Sequence, residues 1–309
     1  MTNLPHQHQQ NLYDQNDGIN TCYLCGNPRF KKHYDVKYFG VPCVFYQCEC
    51  GLIKQAPMPN DNFFEWFFNQ EIFFSSKNTD QDNIWGYYDY FSDEANRMAT
   101  SKLRHKRLSS ILDKKKPANI LKIGPATGTF LYLANQKGHN AIGCDISEQF
   151  IEYAHKNYKV HIDHGRFEKL PYKDEQFDII FLFNVIENVP NQAEFLNAIL
   201  KKLNKGGYFI FNYVDMNNNL IELIQKDKYF MYRPPICYAY PQKTLYEILD
   251  KFGFYVEKKL FDFRILNIEK ILSLLGWNTL LKIAQKLKLN RMSFPVYAYP
   301  SKIIVARKK

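Results

Sequence analysis

Apolar and polar positions change rhythm along this chain. From residue 120 onward, short continuous apolar runs alternate with segments whose apolar residues recur every three or four positions. Runs of the first kind predict strands buried on both faces, and segments of the second kind predict helices lying over them. The runs fall at 120–123, 141–144, 177–183, 208–213, 254–257 and 302–306. The helical segments fall at 129–136, 148–156, 193–203 and 244–251, with Gly138 as a stop, Ser147 as a cap and Gly206 and Gly207 as a turn. This order predicts an α/β fold with a mostly parallel sheet covered on both faces. Residues 265–289 interrupt it with what reads as one wide-faced amphipathic helix, bent near Gly276.

The first third of the chain follows other rules. Residues 1–20 are polar and read as a disordered lead. Residues 21–58 are Cys-rich with short strand patterns, and Pro57 and Pro59 close them. Residues 59–116 read as a helical cap or linker. Twelve aromatic side chains fall within 61–91, including Phe63, Phe64, Phe67 and Phe68 at helical spacing. A basic amphipathic helix follows over 93–112, with Met98, Leu103, Leu108 and Leu112 on its apolar side. The basic run at 114–117 marks the start of the domain over 117–309.

Composition narrows the class. Of 309 residues 46% are hydrophobic, which excludes general disorder. No apolar run reaches the ~18 residues of a spanning helix; the longest, Ile179 to Ile186, is broken by Asn184. The polar N-terminus has no apolar signal core, so the expected location is cytoplasmic. The net charge of +10 is confined to residues 251–309, which hold thirteen Lys or Arg and three Asp or Glu. Such concentration argues against nucleic acid as a partner. It suggests an anionic small molecule, such as a nucleotide sugar, or peripheral membrane contact through residues 265–289. A plain solvated basic end is the alternative.

Five of seven cysteines fall between positions 22 and 50. Cys22 and Cys25 form a C-x-x-C knuckle, and Cys48 and Cys50 a second pair, each followed by glycine. In a reducing compartment four thiolates at this spacing suit a structural Zn²⁺. Cys43 could replace one ligand, and ordinary reduced thiols are the alternative.

The most informative segment is 120–130, ILKIGPATGTF. A buried strand runs into a turn of small residues and a helix begins at once. Small residues allow close approach of a ligand, and a helix start presents N–H groups to it. Asp145, seventeen residues after Gly128, ends the next strand, where a carboxylate can accept both hydroxyls of a ribose. Strand, turn, helix, strand and acid in this order describe a nucleoside-binding crevice; another Rossmann-type fold for NAD or a nucleotide sugar is the alternative.

Over residues 117–309 the chain resembles the class I S-adenosylmethionine-dependent methyltransferases. The resemblance rests on ILKIGPATGTFL, GCDIS, HGRFEKLPYKDEQFDIIFLFNVIENV, LKKLNKGGYFIFNYVD and RPPICYAYPQKTLYEILDKFGF, in that order. It implies a Rossmann-like sheet of seven strands and a site for S-adenosylmethionine. Gly124, Pro125, Ala126 and Gly128 would wrap the methionine part, Asp145 the ribose and Ile146 the adenine. Phe167 and Glu168 would flank the base, and Asn184 to Glu187 would face the transferring methyl. Departures from the family pattern are Lys122 where an acid is usual, Pro125 and Ala126 in the turn, Asn188 after Glu187, and Cys237 in the substrate-side loop. They leave a scaffold without turnover as the alternative to an enzyme.

The ribbon and the aromatic segment resemble those of bacterial methyltransferases with an N-terminal zinc ribbon, among them enzymes of deoxysugars and surface polysaccharides. In these the two parts cover the cofactor cleft, which makes residues 85–90 a candidate lid; core packing is the alternative. Methyl transfer needs alignment, and a base only where the acceptor must lose a proton. Glu187 is the candidate base, with a helix-start carboxylate as the alternative. Tyr213, Asp215, Tyr238 and Tyr240 are candidates for an acceptor pocket.

Overall fold

A computed structural model of the chain describes residues 12–14, 21–38, 41–70, 74, 90–217, 230–274 and 277–309. Among these residues two sheets form. The larger has seven strands in the order β10-β11-β8-β7-β4-β5-β6. These are β4 (Asn119–Ile123), β5 (Asn140–Asp145), β6 (Ile162–His164), β7 (Phe177–Leu182), β8 (Leu203–Val214), β10 (Phe254–Asn267) and β11 (Ser293–Lys308). The β4–β5, β4–β7, β5–β6 and β7–β8 pairs are parallel, while β11 runs antiparallel to both β8 and β10. This is the mostly parallel sheet that the alternation predicts and the Rossmann-like sheet of seven strands that the resemblance implies; β6 falls on none of the apolar runs.

Alternate residues of the central strands feed two apolar layers. Leu121, Ile123, Ile180, Leu182, Phe209 and Phe211 face one side, with α6 (Gln192–Lys202) and α7 (Gln242–Lys251). Ile120, Ile179, Phe181, Ile210, Ile303 and Val305 face the other, with α4 (Thr129–Gln136). Burial on both faces explains why β7 reads as an unbroken apolar run. The first layer also takes in Phe63, Phe64 and Phe67 of α1 (Asp61–Phe68) and Cys22, Leu52 and Met58 of the cysteine segment. The cysteine segment, α1 and the large sheet therefore share one core.

The smaller sheet has the order β1-β2-β3-β9: β1 (Phe30–Tyr38), β2 (Val41–Cys48), β3 (Ile53–Ala56) and β9 (Tyr238–Ala239). Its fourth strand comes from the substrate-side loop, with Ile53 opposite Ala239 and Lys54 opposite Tyr238. Thr244 Oγ1 donates to the Cys50 carbonyl and Lys251 Nζ to those of Tyr23 and Leu24, so α7 grips the cysteine segment.

Four expectations are corrected. Leu12 and Tyr13, within the expected disordered lead, are buried, and the Asn60 and Asp14 amides donate to the Leu12 and Met58 carbonyls. The helix over 93–112 divides into α2 (Glu94–Arg107) and α3 (Ser109–Leu112). The buried face of α2 is Asn96, Ser101, Arg104 and His105, with Met98 and Leu103 half-buried: Ser101 and His105 meet Thr129 and the Phe130 carbonyl of α4, Arg104 meets Asp262 of β10 and Asn96 meets Ser293 of β11. Ser147 precedes α5 (Glu148–Tyr158) without a side-chain cap, since Asp145 Oδ1 accepts its amide and its hydroxyl is buried with no partner among the described residues. Finally, residues 265–289 are not one helix. β10 continues to Asn267, and two short helices follow, α8 (Ile268–Leu274) and α9 (Asn278–Lys286). The predicted bend at Gly276 and lid residues 85–89 lie outside the described residues; Tyr90 of the lid is described.

The extended ends of β10 and β11 pair from Phe263–Tyr297 to Asn267–Ser293, making a hairpin arm that carries α8 and α9. A buried ion pair ties the arm to α2: Arg104 Nη2 lies 3.0 and 2.9 Å from the two carboxylate oxygens of Asp262. Asn212 and Ser301 donate to the same carboxylate. Among the described residues no helix is long and apolar enough to cross a membrane.

Candidate cofactor and active site

The two faces of buried β4 and β5 converge at their C-terminal ends, and the candidate site forms there. After Ile123 the backbone turns through Gly124 (φ +61°), Ala126 (φ +51°) and Gly128 (φ +82°) before α4 begins. A Cβ on Gly124 would stand 2.7 Å from Val185, and one on Gly128 would stand 2.8 Å from the Ala154 methyl. Glycine is required at both positions. Ala126 holds a left-handed conformation that costs a side-chain-bearing residue about 1 kcal/mol. Pro125 turns back onto β5: its Cγ lies 2.8 Å from where Gly143 would carry a Cβ. Its ring is therefore directed toward the sheet.

Asp145 ends β5 and points at this bend. Its Oδ2 accepts the Ala126 amide at 3.3 Å and its Oδ1 the Ser147 amide at 3.1 Å. Burial raises its pKa, against those two backbone donors and the positive charge of Lys122. The carboxylate and the glycine cradle are thus in direct contact at the C-terminal ends of β4 and β5, the end of such sheets where nucleoside ligands bind.

Lys122 sits beneath the cradle, fully paired. Its Nζ donates to the Ile123 carbonyl at 2.8 Å and the Gly124 carbonyl at 3.1 Å, and lies 5.1 Å from the Phe183 ring centroid. Burial, then the charge of Arg104, pushes its pKa down to about 7.

Around this centre the predicted residues separate. Ile146 is half-buried beside α1, where Asn69 Nδ2 donates to its carbonyl at 3.4 Å. Phe167 is 2% exposed, its ring in the core against Phe195 and Tyr172. Glu168 pairs with Arg166, which in turn pairs with Asp61 of α1. Tyr90 and Phe150 pack with Phe74 over Ala126. Asn184 (φ +58°) follows β7, and its Oδ1 accepts from Asn212 at 2.9 Å and from Arg264 of the arm at 2.8 Å.

Glu187 is 4% exposed and its Oε1 accepts the Val214 amide at 2.8 Å. Burial raises its pKa to about 7, against that donor. Its own carbonyl accepts the Cys237 amide, so this residue joins β8 to the substrate-side loop. Tyr213 is buried near Asp215 and Glu187, and its hydroxyl has no partner among the described residues. Tyr238 donates to the Pro190 carbonyl and its ring meets Tyr23 edge-on, which puts it in the seam with the ribbon. Asp215 and Tyr240 bridge to one another. The polar clamp of Arg104, Asn212, Asp262 and Arg264 was missed from sequence. Asn212 and Asp262, each a polar residue inside a strand, were the available signal.

The sulfurs of Cys22, Cys25, Cys48 and Cys50 all lie within 4.8 Å of one another. Cys22 and Cys50 are 3.7 Å apart, and Cys25 and Cys48 3.5 Å. Tetrahedral zinc at about 2.3 Å from each sulfur requires separations of about 3.8 Å. The donor set therefore fits such an ion. Cys43 packs elsewhere, with Phe45 and Tyr232, and His33 faces the Tyr232 hydroxyl at 2.7 Å.

Residues 92–259, more than half of the chain, match the family model described as methyltransferase domain. The chain belongs to this methyltransferase-domain family. The matched span includes the cradle, Asp145, Asn184 and Glu187, and excludes the cysteine segment and the arm. Two curated relatives are an uncharacterised protein of Methanocaldococcus jannaschii and norajmaline N-methyltransferase of Rauvolfia serpentina. The first is 34% identical over 109 residues, 35% of this chain and 50% of that protein. The second is 31% identical over 105 residues, 31% of this chain and 36% of that enzyme. The chain thus spans half or less of the length of these relatives. A solved S-adenosylmethionine-dependent methyltransferase of Archaeoglobus fulgidus has a TM-score of 0.48 and 20% identity, over 71% of this chain and 99% of that one.

Lys122 gives a test of the site's electrostatics. Its folded pKa lies below that of an unfolded lysine, so the unfolded chain binds more protons between pH 7 and about 10.4. The cost of burying its charge is full below pH 7 and fades as pH rises through that window. Lys122→Met is expected to be more stable than the wild type at pH 7, with the gap narrowing toward about pH 10. Urea midpoints at several pH values check this; a gap that does not change with pH refutes it.

Proposed function

We propose that this protein transfers a methyl group from S-adenosylmethionine to a small polar acceptor, an activated sugar such as a nucleotide sugar. The observation that carries the reading is Asp145, held by the Ala126 amide so that it faces the glycine bend. Family membership supports the reaction class. For the sugar, support comes from the resemblance of the ribbon and aromatic helix to those of deoxysugar methyltransferases.

In this reading the cradle of Gly124, Ala126 and Gly128 holds the methionine part and Asp145 the ribose. Backbone of Ile146, Phe167 and Glu168 borders the adenine, since the Phe167 ring belongs to the core. The sulfonium, when bound, supplies an activated methyl. The protein's task is then alignment and exclusion of water. Tyr90 and Phe150 close over Ala126, and Arg264 crosses to Asn184 at the end of β7. Glu187 would take a proton from the acceptor, for which a pKa of about 7 is suited. We further assign Cys22, Cys25, Cys48 and Cys50 to a structural Zn²⁺ with no open position. The protein would act in the cytoplasm, where such thiols stay reduced.

The second reading, a scaffold without turnover, is favoured by Lys122, whose ammonium already occupies the Gly124 carbonyl. Calorimetric titration with S-adenosylmethionine separates the two. Heat of binding in the wild type, and affinity at least tenfold weaker in Asp145→Ala, is the expected result, since hydrogen bonds to a charged group contribute about 1.5–3 kcal/mol. No heat at millimolar cofactor overturns the enzyme reading.

With an acceptor in hand, turnover of the wild type is expected to rise with pH through about 7. Glu187→Gln should lose that limb and about 10²- to 10⁴-fold in rate. An unchanged profile in the variant excludes Glu187 as the base. For the metal, elemental analysis should find one zinc per chain, and Cys48→Ser should lower both zinc content and Tm. Metal-free protein of unchanged Tm counts against the ion.

A further inference from the structure

The hairpin arm ends in a surface that the fold leaves uncovered. Trp277, Leu280, Ile283 and Leu287 recur every three or four residues along α9 and share one helix face. They are 52, 48, 48 and 63% exposed. Ala284, one position round the helix, is the buried contact. Beyond the helix Leu289, Met292 and Phe294 continue the patch, each more than 40% exposed. Exposed apolar side chains are ordinarily scattered; seven within eighteen residues at one end of a hairpin mark an interaction surface.

Charge identifies the occupant. From Trp277 to Phe294 there are four cations, Lys282, Lys286, Lys288 and Arg291, all exposed, and no carboxylate. The carboxylate of neighbouring Glu269 is turned to Asn290 at 3.1 Å and Gln285 at 3.3 Å. A second copy of the chain would bring these cations against their like. We propose that this face docks on an anionic phospholipid surface. Its apolar residues enter the acyl boundary, Trp277 sits at headgroup level, and the lysines extend to the phosphates. The inner side of the same arm carries Arg264, which bonds Asn184 at the end of β7. The docked face and the candidate active site therefore belong to one hairpin.

Co-sedimentation of the full chain with two vesicle types tests this: phosphatidylcholine alone, and phosphatidylcholine with one-third phosphatidylglycerol. Binding is expected to the second and not the first, and to weaken at high salt. Replacing Trp277, Leu280, Ile283 and Leu287 together by Ser should abolish it. All four are exposed, so the far-ultraviolet spectrum and Tm should not change. Lys282→Glu with Lys286→Glu should weaken partition by about fivefold or more per site. Equal sedimentation with both vesicle types, or no loss in either variant, overturns the proposal. A dimer in sedimentation velocity that the four-serine variant dissolves also overturns it, since that assigns the face to a second copy.

Discussion

Everything at the candidate site hangs from the double burial of β4 and β5. Both strands are covered by apolar layers on each face, so their ends can move little. The chain must leave β4 within a few residues to start α4, and it does so through left-handed conformations at Gly124, Ala126 and Gly128. That tight exit points the Ala126 amide at Asp145, which ends the neighbouring strand. That contact follows from strand order and the steric limits of the turn.

Polar contacts then close the top of this sheet. Arg104 on α2 and Asp262 on β10 are both buried, and the pair survives there because Asn212 and Ser301 supply further hydrogen bonds to the carboxylate. Such pairs are weak as sources of stability and strong as determinants of position. Here the position fixed is that of the arm, whose Arg264 reaches the end of β7. On the opposite side, Asp61 pairs with Arg166 and Lys169 and brings the aromatic helix beside Ile146.

Apolar contacts make the ribbon part of the same body. Cys22 and Leu52 share a core layer with Phe63, Leu245 and Tyr240, and β9 completes the small sheet. Gly51 approaches so close that a Cβ there would lie 2.7 Å from Thr244 Oγ1. A metal at the four sulfurs would thus stiffen a module already joined to the substrate-side loop. The residues of that loop, Cys237 to Tyr240, serve the seam as well as the strand ends.

The alternation of apolar runs and amphipathic segments located six of the seven strands of the large sheet, because a short strand buried on both faces is written as an unbroken apolar run; β6, three residues long, carries no such run. Local chemistry likewise determined the small-residue bend, the acid seventeen residues after it and the four-cysteine spacing. Only tertiary structure decided what those residues meet. Met98 and Leu103 are only half-buried because the buried face of α2 is its polar one, bonded to Thr129 and Phe130 of α4 and to Asp262, 158 residues away. The single helix over 265–289 failed because strand pairing with 293–295 outweighed helical periodicity at 265–267. Phe167 stands in the third motif as an expected flank of the adenine, yet its ring turns into the core. Ring direction, ion-pair partners and strand extension depend on neighbours distant in the chain, and no local pattern of side chains encodes them.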